Sequence, residues 1–215
     1  MIFRLNSELV FPNPLLGEPD GALAVGGDLS IERLTLAYSH GIFPWFSFRD
    51  NDEPVWYCPM ERFVIFPSEI HVSHSMRSLI NKGVYRVSIN EDFEGVMRGC
   101  QRADGRLEMD GAWLSDDIIK AYTALHQEEL AASVEVWDGD ALVGGLYGVT
   151  MNGVFIGASM FSLVPNASKL ALIALARHLE QQGWKFIDCQ IETPHLRSMG
   201  ARYIPYEEYM NVLWE

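Results

Sequence analysis

The chain has 215 residues, 48% of them hydrophobic, and a formal charge of −13 from 16 Lys and Arg against 29 Asp and Glu. That length and apolar content suit one globular domain, or a small domain joined to a larger one, and the acidity argues against binding nucleic acid by charge over a broad surface. Three widely spaced cysteines and six scattered histidines argue against a disulfide framework and a metal site, and no apolar run approaches the roughly 20 residues of a membrane helix, so the cytoplasm is the expected location, with no membrane as partner.

The first stretch of chain is punctuated by turn formers: Phe11-Pro12-Asn13-Pro14, Glu18-Pro19-Asp20-Gly21, Gly26-Gly27-Asp28, Phe43-Pro44-Trp45-Phe46 and Cys58-Pro59. One helix fits there, 31–40, with Ser30 as N-cap, Leu34, Ala37 and Tyr38 on one face, and Gly41 as the stop. From residue 63 the pattern becomes regular: a strand at 63–66, a helix at 73–82 ended by Gly83, a strand at 85–90 and a helix at 92–102. After a loop through Asp104, Gly105, Asp110, Gly111 and Trp113, Ser115 caps a helix that runs to Leu130 with Ile118, Ile119, Tyr122 and Leu125 on its apolar stripe. Three strands follow as a meander, 134–137, 142–149 and 154–160, because Asp138-Gly139 and Asn152-Gly153 supply the positive φ angles of tight hairpins. An apolar helix, 167–182, ends at Gly183, and a strand at 184–191 comes next. This order sets the last strand beside the meander with the helix across one face. The expected fold class is α+β, with a small loop-rich N-terminal domain, 1–62, and a larger mixed-sheet domain, 63–215.

The strand at 184–191 carries the most informative residues. Trp184, Phe186, Asp188 and Gln190 point one way, and Lys185, Ile187, Cys189 and Ile191 the other. An ionised carboxylate on an apolar face is costly unless donors, a cation or a substrate amine satisfy it, so Asp188 is either a structural group bonded to its surroundings or part of a site. Phe155, Met160 and Phe161 bring aromatic and thioether groups nearby, and Trp45 and Trp113 lie on loops. Plain core packing explains such side chains as readily as a pocket that stacks a base and holds an apolar residue.

Other chemistry is weakly supported. There is no Gly-x-Ser-x-Gly elbow, and nothing singles out a Cys/His pair for nucleophilic catalysis. The run Val143-Gly144-Gly145-Leu146-Tyr147-Gly148 sits inside a hairpin, not between a strand and a helix, so it reads as close packing on a crowded sheet. Arg77, Lys82, Arg86, Arg98, Arg102 and Arg106 gather over a third of the basic residues in one segment, but Glu91, Asp92, Glu94 and Asp104 are interleaved, as on a solvated face.

The β-β-β-α-β order resembles the acyltransferase superfamily that uses acetyl-coenzyme A. Those enzymes cradle the cofactor pyrophosphate on a Gly-rich turn before the helix. Here the turn is Val164-Pro165-Asn166-Ala167-Ser168-Lys169, with no glycine, which weighs against a coenzyme A-dependent N-acetyltransferase.

Five strings resemble those of the leucyl/phenylalanyl-tRNA–protein transferases, in the same order and over nearly the whole chain. They are residues 21–30 (Gly21 to Ser30), Gly41-Ile42-Phe43-Pro44-Trp45-Phe46, Ser159-Met160-Phe161-Ser162, Asn166-Ala167-Ser168-Lys169 and Ile187-Asp188-Cys189-Gln190. The resemblance implies that the larger domain is GNAT-like but takes no coenzyme A, and that the chain uses no cofactor or metal. It implies transfer of Leu or Phe, with Met a further candidate, from aminoacyl-tRNA to the N-terminal amine of a protein, typically one beginning with Arg or Lys, marking it for N-end rule degradation. A monomer is the expected working unit; a non-catalytic tRNA- or degron-binding module is the rival reading. Carried over by position, Asp188 and Gln190 are the catalytic candidates. Trp45, Trp113, Phe155, Met160, Ala158 and Ser168 are the substrate-binding ones, the first four lining the pocket for the 3′-terminal adenosine and the aminoacyl side chain. The basic residues from Arg77 to Arg106 are the candidates for contact with the tRNA backbone at its acceptor end. An aminoacyl ester is already activated, so aligning an uncharged amine with the carbonyl is the main task, and Asp188 can do so by positioning or as a base. The chain departs from the family pattern at Ala158, where Glu is usual, which removes an acidic group from the surroundings of a basic acceptor residue.

Overall fold

The structure is a computed structural model and describes residues 2–46, 53–103 and 114–215. The N-terminal stretch holds more than the expected loops and single helix. It contains a four-stranded sheet built from β1 (Phe3–Leu5), β2 (Ala22–Gly26), β3 (Phe43–Phe46) and β4 (Pro54–Tyr57), in the order β1-β2-β4-β3. Strands of this length, broken by Pro and Gly, are too short to show a period of two in the sequence. The helix is present as α1 (Ile31–Ser39), whose N-cap Ser30 accepts the Arg33 N–H at 3.3 Å, and Gly41 follows it with φ 69°.

The larger sheet comprises β5 (Glu61–Ile65), β6 (Arg86–Ile89), β7 (Ala131–Asp138), β8 (Ala141–Met151), β9 (Val154–Ser162), β10 (Phe186–Asp188) and β11 (Arg202–Pro205), in the order β11-β5-β10-β9-β8-β7-β6. The two hairpins turn where expected, with Gly139 at φ 58°, Asn152 at 42° and Gly153 at 76°. β10 does lie beside the meander, parallel to β9, and its other neighbour is the antiparallel β5. It is shorter than the expected 184–191 strand. The helices of this part are α2 (His74–Lys82), α3 (Phe93–Arg102), α4 (Asp116–Gln127), α5 (Ala167–Gln181), α6 (Pro194–Ser198) and α7 (Tyr206–Leu213). Ser73, Asp92 and Ser115 cap α2, α3 and α4 with side-chain oxygens that accept backbone N–H groups. Among the described residues no helix is long and apolar enough to cross a membrane.

Strand alternation divides the interior into two cores. On one face α2 and α5 cover Phe63, Ile65, Leu146, Phe155 and Ile187. On the other, Val64, Tyr147, Ile156 and Phe186 meet α3, α4 and α7 in a core that also takes in Leu34, Tyr38 and Trp56 of the N-terminal stretch. The small sheet is therefore joined to the large one through shared apolar burial. Asp188 belongs to this second face, two residues beyond Phe186.

The glycine run is close packing, as its place in a hairpin indicated. A Cβ on Gly144 would stand 2.5 Å from the Ala167 Cβ, and one on Gly148 would overlap the Ile156 carbonyl oxygen and lie 2.7 Å from the Phe155 ring. Backbone cannot yield as a flexible side chain can, so Gly148→Ala should destabilise the fold by about 1–3 kcal/mol. Urea unfolding followed by tryptophan fluorescence measures it; an unchanged midpoint would show that β8 and β9 can move apart at this level.

Candidate active site

β9 carries one residue more than its neighbour can match. Tyr147 faces Ser159 and Gly148 faces Gly157, which leaves Ala158 as a bulge. On its other side β9 pairs with β10 only from Val154 to Ile156, so beyond that point no described strand lies along this edge. β10 leaves the sheet at the same level. Gln190 adopts φ 61°, a left-handed conformation unfavourable for a residue with a side chain, and its N–H donates to Asp188 Oδ1 at 2.9 Å. The two strands part, and between them lies a cavity of about 290 Å³.

Phe155, Ala158 and Met160 of β9 line this space together with Ile187 and Asp188 of β10, Gln190 just after it, and Trp45 of β3. Tyr38 and Tyr122 approach from the side of α1 and α4, and Leu172 and Leu175 of α5 from the opposite face. Six expected site residues, Asp188, Gln190, Trp45, Phe155, Ala158 and Met160, thus meet in one cavity. Ser168 does not: it stands at the start of α5, where its backbone N–H donates to Ser162 Oγ at 3.2 Å. Trp113 lies outside the described residues.

Asp188 is fully buried, and its carboxylate is already satisfied. Oδ2 accepts hydrogen bonds from Arg62 Nη2 and from the Tyr209 hydroxyl, the latter at 3.0 Å, while Oδ1 takes the Gln190 N–H. Arg62 is 1% exposed, so this is an ion pair removed from water. Its other terminal nitrogen donates to the Gly41 carbonyl at 2.5 Å, and its guanidinium carbon lies 4.3 Å from the Tyr209 ring centroid and 5.4 Å from that of Phe43. Burial, the largest single influence, pulls the Arg62 pKa down, but Asp188, Tyr209 and Cys58 together outweigh it and raise the value above that of a free guanidinium. Burial foremost, with the Asp188 charge, also raises the Tyr209 pKa, so its hydroxyl stays protonated and donates. Burial likewise raises Tyr38 and Tyr122, whose hydroxyls are hydrogen-bonded to one another at the cavity wall.

Sequence reasoning missed Arg62 and Tyr209. The available signal was a cation just ahead of the apolar run Phe63-Val64-Ile65, with the parity of Val64, which pairs with Asp188. A buried carboxylate demands a partner, and Arg62 was a candidate once the register of β5 against β10 was known.

The basic residues do not form one strip. Arg77 and Lys82 sit on α2, which packs on the α5 side of the sheet, whereas Arg98 and Arg102 sit on α3, against the other face. Arg86 is paired with Glu91 at 2.5 Å, and Arg98 with Asp116 at 2.5 Å and Glu94 at 3.3 Å. Arg106 lies outside the described residues.

This architecture can be set against known proteins. A family model described as leucyl/phenylalanyl-tRNA protein transferase matches residues 64–214, and one for the N-terminal domain of the same family matches residues 27–60. The leucyl/phenylalanyl-tRNA–protein transferase of Flavobacterium psychrophilum is 48% identical over 210 residues, covering 97% of this chain and 98% of that one. Its namesake from Nitrosospira multiformis is 49% identical over 217 residues, covering 100% and 92%. Among solved structures, a GCN5-related N-acetyltransferase from Kribbella flavida is similar with a TM-score of 0.42 and 12% identity over 80% of this chain and 59% of that one, too distant a likeness to argue from. With a family model covering most of the chain and relatives near half identity along its whole length, the chain belongs to the leucyl/phenylalanyl-tRNA protein transferase family.

Proposed function

We propose that the cavity between β9 and β10 is where the ester of an aminoacyl-tRNA meets the N-terminal amine of an acceptor protein, and that Leu and Phe are the groups transferred. The chain is an aminoacyltransferase that moves an aminoacyl group from tRNA to protein N-termini. The observation that carries the site assignment is the meeting of an apolar cavity with a polar rim: Phe155, Met160, Leu172 and Leu175 for the side chain, and Gln190 for the reacting groups. Such a cavity favours Leu and Phe by desolvation and rejects polar side chains, which would lose their water without gaining partners. Trp45, half-buried against Tyr57 at a centroid distance of 5.5 Å, offers a ring on which the terminal adenine can stack.

In the reaction the amine nitrogen attacks the ester carbonyl, the new C–N bond forms as the C–O bond to the ribose breaks, and the proton lost by the amine ends on the released ribose hydroxyl. No covalent enzyme intermediate is required, because the ester is activated. What the protein supplies is alignment and exclusion of water. Asp188 acts here as a positioning group, since all its described contacts commit it to Arg62, Tyr209 and the Gln190 backbone. By holding the Gln190 turn it aims that side chain at the amine or the ester. The tRNA backbone meets local basic groups near the acceptor end, Arg77 and Lys82 on one face or Arg98 and Arg102 on the other. We place the reaction in the cytoplasm, with a monomer as the working unit.

Incubation with radiolabelled Leu-tRNA or Phe-tRNA and a set of peptides with different first residues tests this reading. Label on peptide N-termini is the expected result, greater for Leu and Phe than for polar amino acids. No label on any peptide, with charged tRNA or peptide still bound, would identify a binding module instead; acetyl transfer from coenzyme A would identify the acetyltransferase alternative.

A further inference from the structure

The apolar cavity has a second space behind it. A groove of about 620 Å³ lies between the C-terminal half of α5, the start of β7 and the end of β8. It is more polar than the cavity: Ser133, Thr150 and His178 line it, and Glu129, Asn152 and Gln182 stand exposed along it. Two described residues line both spaces, Phe155 from β9 and Leu175 from α5. Both are buried, so the partition between cavity and groove is made of these two side chains. Leu172, three residues earlier on α5, lines the cavity but not the groove.

Apolar walls alone do not exclude a lysine or an arginine. The stems of these residues are hydrocarbon and lie readily along apolar surface, provided the charged head reaches water. Exclusion requires a closed end, where the head is stripped of water and meets no partner. Were the partition open, the head would pass into the groove, where Glu129 and solvent can receive it. We infer that Phe155 and Leu175 are the closed end of the aminoacyl pocket, and that this partition sets the selection against long side chains with polar tips. This rests on the reading that the cavity holds the side chain being transferred.

The test acylates one and the same tRNA with Leu, Phe, Lys or Arg and measures kcat/KM for transfer to a single peptide. It uses the full chain and the variants Leu175→Ala, Leu172→Ala and Phe155→Leu, each checked by urea unfolding to be folded under the assay conditions. The wild type is expected to transfer Leu and Phe and to discriminate strongly against Lys and Arg. Leu175→Ala should raise the Lys-to-Leu and Arg-to-Leu ratios by about tenfold or more, through a gain for Lys and Arg themselves. Leu172→Ala removes the same atoms from the same pocket without opening it, and should leave both ratios close to the wild-type values. Phe155→Leu thins the other half of the partition with less loss of core volume, should move the ratios as Leu175→Ala does, and decides the matter if Leu175→Ala does not fold. Ratios unmoved by the partition variants would overturn the inference, as would an equal rise in Leu172→Ala or a wild type that already transfers Lys as well as Leu. If the wild type transfers no amino acid, the transferase reading falls and this inference with it. Transfer of Leu and Phe with unmoved ratios defeats the inference alone.

Discussion

Asp188→Ala is expected to abolish detectable transfer and also to destabilise the protein by about 3–5 kcal/mol, the cost of stranding a buried charge without its partner. Arg62 cannot escape by losing its proton, because a guanidinium stays charged in proteins. It would be left 1% exposed beside Tyr209 and Phe43 with only the Gly41 carbonyl as a strong acceptor. Urea unfolding with a parallel transfer assay separates the two losses, and Asp188→Asn, which keeps an oxygen for the Gln190 N–H, should be less damaging to both. Adding Arg62→Met to Asp188→Ala completes a cycle: the double variant should recover much of the stability while transfer stays absent, because neither group then holds the Gln190 turn. Wild-type stability in Asp188→Ala would mean that water or another group satisfies Arg62, and near-normal transfer would show that Asp188 has no part in the reaction.

Gln190→Ala should lower kcat by about a hundredfold, the scale of a misaligned reacting pair, and leave the stability almost unchanged. The reason lies in the backbone. Asp188 is held by the Gln190 N–H and not by its amide side chain, so the turn survives the truncation. Gln190→Gly provides the control, since glycine adopts φ 61° without strain and should stabilise the turn by about 1 kcal/mol. If the side chain orients the amine or the ester, both variants lose activity together although their stabilities move apart. If only the shape of the turn matters, both retain it. Single-turnover measurement with preformed Leu-tRNA complex reads the chemical step directly.

Much of the scaffold was legible because its signals are local. Ser30, Ser73 and Ser115 mark helix starts through bonds that span three residues. The Asp138-Gly139 and Asn152-Gly153 turns set the meander through their own φ preferences. The glycine run could be read as packing because it fell inside a hairpin. The small sheet was not legible, since β1 to β4 are each too short to establish a period and their pairing joins distant segments. β10 was drawn too long for a related reason: apolar alternation continues past Asp188, but Gln190 turns the backbone, and nothing in a glutamine announces a positive φ.

By itself the sequence determined the succession of helices and hairpins between residues 63 and 183, the presence of an acidic residue on an apolar strand, and the family resemblance carried by five ordered strings. These depend on neighbours within a few residues, or on direct comparison of residues. Only the tertiary structure decided what Asp188 is bonded to, because its cation is 126 positions away and reaches it through the register of β5 against β10. The same folding gathers Trp45, Phe155, Met160 and Gln190 around one cavity, leaves Ser168 outside it, and divides the basic residues between two faces. A buried charge can be expected from its neighbours in the chain, but its partner is chosen by packing, where desolvation makes a contact between distant segments stronger than any local preference.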